Sequence, residues 1–106
     1  MVVRIEFVKG PSRQFALVLR ACQRFPTFKE IDGLYSVEFA GPTLKSFEAI
    51  YELICQWRGV LFYIDDVLVS RWQAMDTVRQ VLYARRRAHE NRATLTLKVD
   101  DFLGRN

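Results

Sequence analysis

The stretch VLFYIDDVLVS, residues 60–70, decides the fold of this chain. Two apolar, β-rich runs flank the dipeptide Asp65-Asp66, and a two-residue connection between such runs is typical of a β-hairpin. Residues 60–64 form the most continuously apolar run, which predicts a central strand. Ser70 and Gln73 have the spacing of a capping box, so a helix is predicted to start directly after the hairpin.

Upstream of the hairpin, the chain alternates between strand and helix periodicity. Apolar and polar residues alternate over 3–7 and again over 35–39, which predicts two half-buried strands. Apolar residues at helical spacing predict a first helix that is capped by Ser12 and ends before Pro26. A second helix is predicted from Leu44 to a C-terminal cap at Gly59, and 26–33 is interpreted as a connecting loop.

Downstream of the hairpin, the third helix is predicted to bury the side chains Trp72, Met75, Val78, Val81 and Leu82. A last strand is predicted from Thr94 to Val99, because leucine and valine alternate there with threonine and lysine. Residues 100–106 are predicted to form a loose C-terminal tail, which leaves 1–99 as a single domain.

The predicted order of elements is β-α-β-α-β-β-α-β. Residues 34–99 would form a ferredoxin-like β-α-β-β-α-β unit, preceded by an additional β-α unit. Strict alternation in three of the strands favours helices packed on one face of a mixed sheet, with the other face open. The expected fold is therefore a two-layer α/β sandwich of the α+β class.

Composition excludes several classes of protein. The chain has 106 residues, of which half are hydrophobic, so it is long enough for one domain with a core and too apolar to be disordered. No apolar run approaches the length of a bilayer span, and Arg4, Glu6 and Lys9 interrupt any signal peptide. Cys22 and Cys55 are interpreted as reduced thiols on apolar helix faces, which makes the cytoplasm the expected compartment.

The formal net charge is +4, and residues 71–92 alone, with six arginines against Asp76 and Glu90, account for it. On the third helix Arg79, Tyr83, Arg86 and Arg87 recur at spacings of three and four, which predicts one face opposite Met75, Val78 and Leu82. The cluster also includes Arg85 and Arg92.

Guanidinium groups interleaved with a tyrosine suit a phosphate backbone and a stacked base, which points to nucleic acid. The alternative is a solvated face whose arginines complement the helix dipole, with Arg86 and Glu90 as an ordinary ion pair. The first helix carries Arg13, Arg20 and Arg24, so one continuous basic patch is expected if the two helices are neighbours.

The tetrapeptide Tyr63-Ile64-Asp65-Asp66 resembles the Tyr-x-Asp-Asp motif of reverse transcriptases and related polymerase palms. That resemblance implies paired carboxylates holding two divalent metal ions on a hairpin. A palm also carries an aspartate at the end of the first strand of its unit, where this chain has Glu38 followed by residues 39–42 without aspartate. Asp65 and Asp66 are therefore interpreted as turn residues that satisfy local backbone amides, and only weakly as metal ligands.

Aromatic residues make up 13% of the chain, more than a two-layer core requires. Leu17 lies off the main stripe of the first helix, and Leu61 and Tyr63 are expected on the open face of the sheet, so these three form the predicted interaction surface. The alternative is that these apolar residues belong to a slightly larger hydrophobic core. Recognition of RNA by the open face is disfavoured, because Tyr63 is its one aromatic residue and two glutamates lie beside it.

No catalytic constellation or cofactor motif emerges, since His89 is the one histidine and no glycine-rich phosphate loop is present. The first function hypothesis is a small, non-enzymatic, cytoplasmic interaction module that self-associates as a homo-oligomer and binds a protein partner, without a cofactor. The second is a nucleic-acid-binding domain that uses the arginine-rich third helix. Metal-dependent phosphoryl transfer at Asp65 and Asp66 is a distant third.

Overall fold

The computed structural model describes the backbone of residues 1–104 and the side chains of residues 1–90. Strands and helices follow one another in the order β-α-β-β-α-β-β-α. Their bounds are β1 Val2–Val8, α1 Arg13–Cys22, β2 Lys29–Ile31, β3 Leu34–Ala40, α2 Leu44–Cys55, β4 Leu61–Ile64, β5 Val67–Val69 and α3 Arg71–Gly104.

The strands form one sheet in the order β2-β3-β1-β4-β5, and every neighbouring pair is antiparallel. Helix α2 connects β3 to β4, which run in the same direction on either side of β1, so this connection is a split β-α-β unit. Because β1 separates the two parallel-running strands, the sheet is antiparallel throughout, and the prediction of a mixed sheet was wrong. Residues 61–64 lie inside the sheet, but β1 occupies its centre.

The three helices cover one face of the sheet, which confirms the two-layer α+β sandwich. Each strand sends alternate side chains into the core, as β1 does with Val3, Ile5 and Phe7. Five phenylalanines are buried there, so much of the aromatic content belongs to the core: Phe7, Phe15, Phe39, Phe47 and Phe62. No helix among the described residues is long and apolar enough to cross a membrane.

The strand predicted over 94–99 was wrong, because helix α3 continues through these residues to Gly104. A helix that is already formed gains one hydrogen bond for each residue it adds. Continuing α3 is therefore favoured over the strand that the short threonine–leucine alternation suggested. The ferredoxin-like unit predicted over 34–99 therefore lacks its last strand. Of the segment predicted as a loose tail, the backbone of residues 100–104 belongs to α3, and residues 105–106 lie outside the described residues.

Strand β2 lies in the stretch interpreted as a loop. It pairs with β3 through the two-residue turn Asp32-Gly33, in which both residues have positive φ (51° and 82°). Asp-Gly is a favoured sequence for such a turn, because aspartate tolerates and glycine readily adopts the left-handed region. The signal for this hairpin was thus present in the sequence.

Helix α2 ends at Cys55, and Gly59 is not its left-handed cap. Trp57 instead folds back so that a Cβ at residue 59 would lie 2.6 Å from its ring. The same ring packs against Phe7 and Phe15, with centroid separations of 5.5 and 5.4 Å. Gly59 is therefore explained by the close approach of Trp57.

Candidate interaction surfaces

A groove of about 620 Å³ separates helices α2 and α3. It is lined by Lys45 and Glu48 from α2 and by Arg79, Leu82, Tyr83 and Arg86 from α3. Leu82 therefore shares the groove with the arginines, although it was predicted to lie on the opposite face. Residues four apart on a helix are neighbours, so Leu82 and Arg86 belong to one face.

The structure divides the predicted arginine cluster into parts. Arg87 lines an adjoining recess with Tyr83, Arg86 and Glu90, and Arg86 Nε lies 3.2 Å from Glu90 Oε1. Arg85 points elsewhere, since its Nη1 donates a hydrogen bond of 2.9 Å to the carbonyl oxygen of Gly41. The side chain of Arg92 lies outside the described residues.

The basic residues of α1 do not extend the basic surface of the α2–α3 groove. The principal helix–helix contacts join α1 to α2 and α2 to α3, so α2 lies between the two arginine-bearing helices. Between them α2 exposes the carboxylates of Glu48 and Glu52. Arg13 and Arg20 of α1 therefore form a separate basic face.

Asp65 and Asp66 form the turn between β4 and β5. Both have positive φ, 48° and 67°, a conformation that aspartate tolerates better than most side chains do. Asp65 Oδ1 accepts a hydrogen bond of 2.8 Å from the backbone N–H of Val2, and the Asp65 N–H donates one of 2.9 Å to the carbonyl of Val2. Asp66 forms an ion pair with Arg4. Each carboxylate thus has a partner within the protein.

Arg4 organises the polar part of the open sheet face. Its guanidinium lies 4.5 Å from the centre of the Tyr63 ring, and its Nε lies 2.9 Å from Glu6 Oε1. The hydrogen bond to Asp66 is the main cause that raises the pKa of Arg4 above its usual value. Within the described part of the chain, no three carboxylate, histidine or cysteine side chains cluster as a metal site would require.

The three residues of the predicted interaction surface do not form one surface. Leu17 is exposed on α1, in the helical layer. Leu61 is half exposed on the open face of the sheet, and Tyr63 lies beside it under Arg4. The sheet therefore separates Leu17 from the other two residues.

A more exposed apolar group lies at the β5 edge, and it was not predicted. Val67 and Leu68 are 63% and 59% exposed, Leu68 on the open face with its pairing partner Tyr63 and Val67 on the opposite, helix-bearing face, and Trp72 at the start of α3 is 74% exposed. Trp72 was expected in the core but is exposed, whereas Met75 and Val78 are buried as predicted, together with Ala74. No signal in the sequence marks this position, because the strand order that leaves β5 at an edge is not determined by the connections along the chain.

The two edges of the sheet differ in charge. Strand β2 carries Lys29 and Glu30, which discourage pairing with another chain, whereas β5 contains only Val67, Leu68 and Val69. In the described part of the chain, β4 is the one strand that pairs with β5. Hence β5 presents an uncharged edge with backbone groups free to pair.

Comparisons of the chain with protein-family models, curated proteins and solved structures find no significant match. Function is therefore inferred from three surfaces: the α2–α3 groove, the Asp65-Asp66 turn and the β5 edge. Of these, the turn has its charged groups engaged internally, whereas the groove and the β5 edge expose groups that can contact another molecule.

Proposed function

We propose that this protein is an interaction module that self-associates by pairing its β5 edge with the β5 edge of a second copy. The observation that carries this proposal is the uncharged edge of β5, where Val67 and Leu68 are exposed on opposite faces of the sheet and the exposed Trp72 follows three residues after the strand. Exposed edge strands pair readily with other strands, and natural proteins usually protect them with charged side chains. Here β2 has that protection and β5 does not.

The edge is self-complementary in the way that a two-fold axis requires. With antiparallel pairing centred on Leu68, that residue faces its own counterpart, and Val67 faces Val69 of the partner subunit. No like charges meet within the paired strands, because β5 contains no charged residue. The sheets of both copies would become continuous.

Trp72 supplies the side-chain contribution to the interface. A three-residue strand offers few backbone hydrogen bonds, so edge pairing alone is weak. An indole that is largely exposed in the single chain gains by burial, and tryptophan is enriched among residues that dominate binding energy. We therefore expect Trp72 to pack against the partner subunit beside the paired strands.

The test is the molar mass of the purified protein as a function of concentration, measured by light scattering and sedimentation equilibrium. We expect the mass to rise above 12.4 kDa towards that of a dimer and to persist at high salt, since the contact is apolar. Leu68→Lys should leave a folded monomer. Trp72→Ala should weaken association by about tenfold or more, because each 1.4 kcal/mol lost is a factor of ten.

The matched control is Ile31→Lys, because Ile31 is 65% exposed at the opposite edge of the sheet. This variant should self-associate as the unmodified protein does. A wild-type protein that stays monomeric at every concentration would overturn the proposal. So would equal loss of association in Leu68→Lys and Ile31→Lys, because the contact would then not be specific to β5.

A further inference from the structure

We propose that the α2–α3 groove binds single-stranded nucleic acid, with Arg79, Arg86 and Lys45 contacting phosphates and Tyr83 stacking on a base. This function goes beyond self-association and uses a different surface, since β5 and Trp72 do not line the groove. Basic grooves with exposed aromatic rings are the common means of holding single strands without sequence preference.

The order of side chains along α3 suits this ligand. Arg79, Tyr83 and Arg86 line the groove at successive spacings of four and three residues, so they extend over about 10.5 Å of helix axis. An aromatic ring is thereby held between two guanidinium groups. Arg79 and Arg86 can each reach a backbone phosphate while the base between the phosphates lies on the ring.

Tyr83 is available for stacking. Its side chain is 65% exposed, and it makes no ring contact with another aromatic residue in the described part of the chain. A buried position would have explained the tyrosine as core packing, whereas here one edge of the groove is formed by an uncovered ring. Stacking of one base on such a ring contributes about 1–3 kcal/mol.

The charge of the groove favours a polyanion. Lys45, Arg79 and Arg86 outnumber the one carboxylate of the lining, Glu48. Arg86 pairs with Glu90, but both side chains are largely exposed, and exposed ion pairs contribute little, so a phosphate can compete for the guanidinium. The bond from Arg85 to the Gly41 carbonyl connects α3 to the turn between β3 and α2.

An acidic peptide would satisfy the same cations, and the exposed ring is what favours nucleic acid. A carboxylate peptide gains nothing specific from a flat aromatic surface between two guanidinium groups, whereas every nucleobase has a π-face. A base paired in a duplex is stacked on its neighbours and unavailable, so the strand that binds here is single.

The experiment measures fluorescence anisotropy of labelled oligouridylate and oligodeoxythymidylate with the whole chain, at low and at physiological salt. We expect binding that weakens steeply with salt, as counterion release requires. Arg79→Glu with Arg86→Glu should abolish it. The control, Arg13→Glu with Arg20→Glu, changes the net charge equally on α1 and should weaken binding only slightly.

A second pair of variants tests the ring. Tyr83→Ala should weaken binding by about fivefold to a hundredfold, whereas Tyr83→Phe should retain most of the affinity, because the π-face remains. Glu48→Gln should tighten binding at low salt. Circular dichroism and thermal unfolding of each variant confirm that the fold is intact.

Three outcomes would overturn the proposal. The first is absence of binding at low salt, and the second is equal weakening by the α1 and α3 charge reversals, which indicates attraction to net charge alone. The third is equally effective competition by polyglutamate, which would assign the groove to acidic peptides. Because Leu68→Lys leaves the groove unchanged, its affinity for oligonucleotide should equal that of the wild type, so the two proposals fail independently.

Discussion

At the scale of single residues, Gly59 shows how closely the core is packed around Trp57. The indole lies against residue 59 so tightly that any side chain there would displace it from Phe7 and Phe15. We expect Gly59→Ala to lower the free energy of unfolding by about 1–3 kcal/mol, the usual cost of overpacking. Urea denaturation measures it, with Arg58→Ala, an exposed neighbour, as a control expected to change little. Equal stability of the two variants would contradict the packing described.

Single residues also show where sequence prediction succeeds and fails. Ser12 and Ser70 were predicted as helix caps, and their hydroxyls accept hydrogen bonds from the N–H groups of Phe15 and Gln73. Capping depends on residues three apart, so it can be predicted locally. Trp57 and Trp72 have the same side chain, yet Trp57 is partly buried against the core and Trp72 is exposed. Their difference depends on what surrounds them in space.

At the scale of elements, the β4–β5 hairpin depends on its turn. Asp65→Ala removes the acceptor for the Val2 N–H and places an alanine at positive φ, so we expect the free energy of unfolding to fall by about 1–3 kcal/mol. Asp65→Asn keeps an acceptor oxygen and tolerates the same φ, so it should cost much less. Chemical denaturation compares the two, and an equal loss for both would show that the turn contact is unimportant.

The hairpins also show which elements the sequence predicts well. The hairpin around Asp65-Asp66 was predicted because both flanking runs are apolar, which is a strong local signal. Strand β2 was missed because Lys29-Glu30-Ile31 is short and mostly polar, and it is a strand only through pairing with β3. The apolar groups of β5 were expected as part of a strand, but their exposure follows from the strand order, which connections alone do not determine.

At the scale of the whole molecule, burial of ionisable groups makes stability depend on pH. Burial raises the pKa of the Cys22 thiol to about 12, whereas a thiol in an unfolded chain ionises near about 8.5. Between these values the unfolded chain releases a proton that the folded chain keeps. The free energy of unfolding should therefore fall as the pH rises through this range.

Tyr51 adds to this dependence at higher pH, since burial also raises its pKa to about 12. Urea denaturation from about pH 8 to about pH 11 should show the decline in the wild type. The double variant Cys22→Ala, Tyr51→Phe should show a much smaller decline. Identical slopes for the two proteins would mean that other groups control alkaline stability.

The sequence by itself determined the layers of this protein: alternating strands with one apolar face, helices with one apolar stripe, and the β4–β5 hairpin. These follow from periodicity and local capping, which act between residues close along the chain. Only the tertiary structure decided that β5 forms an uncharged edge, that α2 separates the basic faces of α1 and α3, and that Arg79, Tyr83 and Arg86 share a groove with Lys45.

The physical reason for this difference is that the local sequence specifies which faces are apolar. Strand order and helix neighbours instead depend on contacts between residues far apart in the chain. The stretch 60–70 contains both kinds of information. Its hairpin was evident from local pattern, but the exposure of Val67 and Leu68 followed from the placement of β4 and β5 beyond β1. Both proposed surfaces arise from such placement.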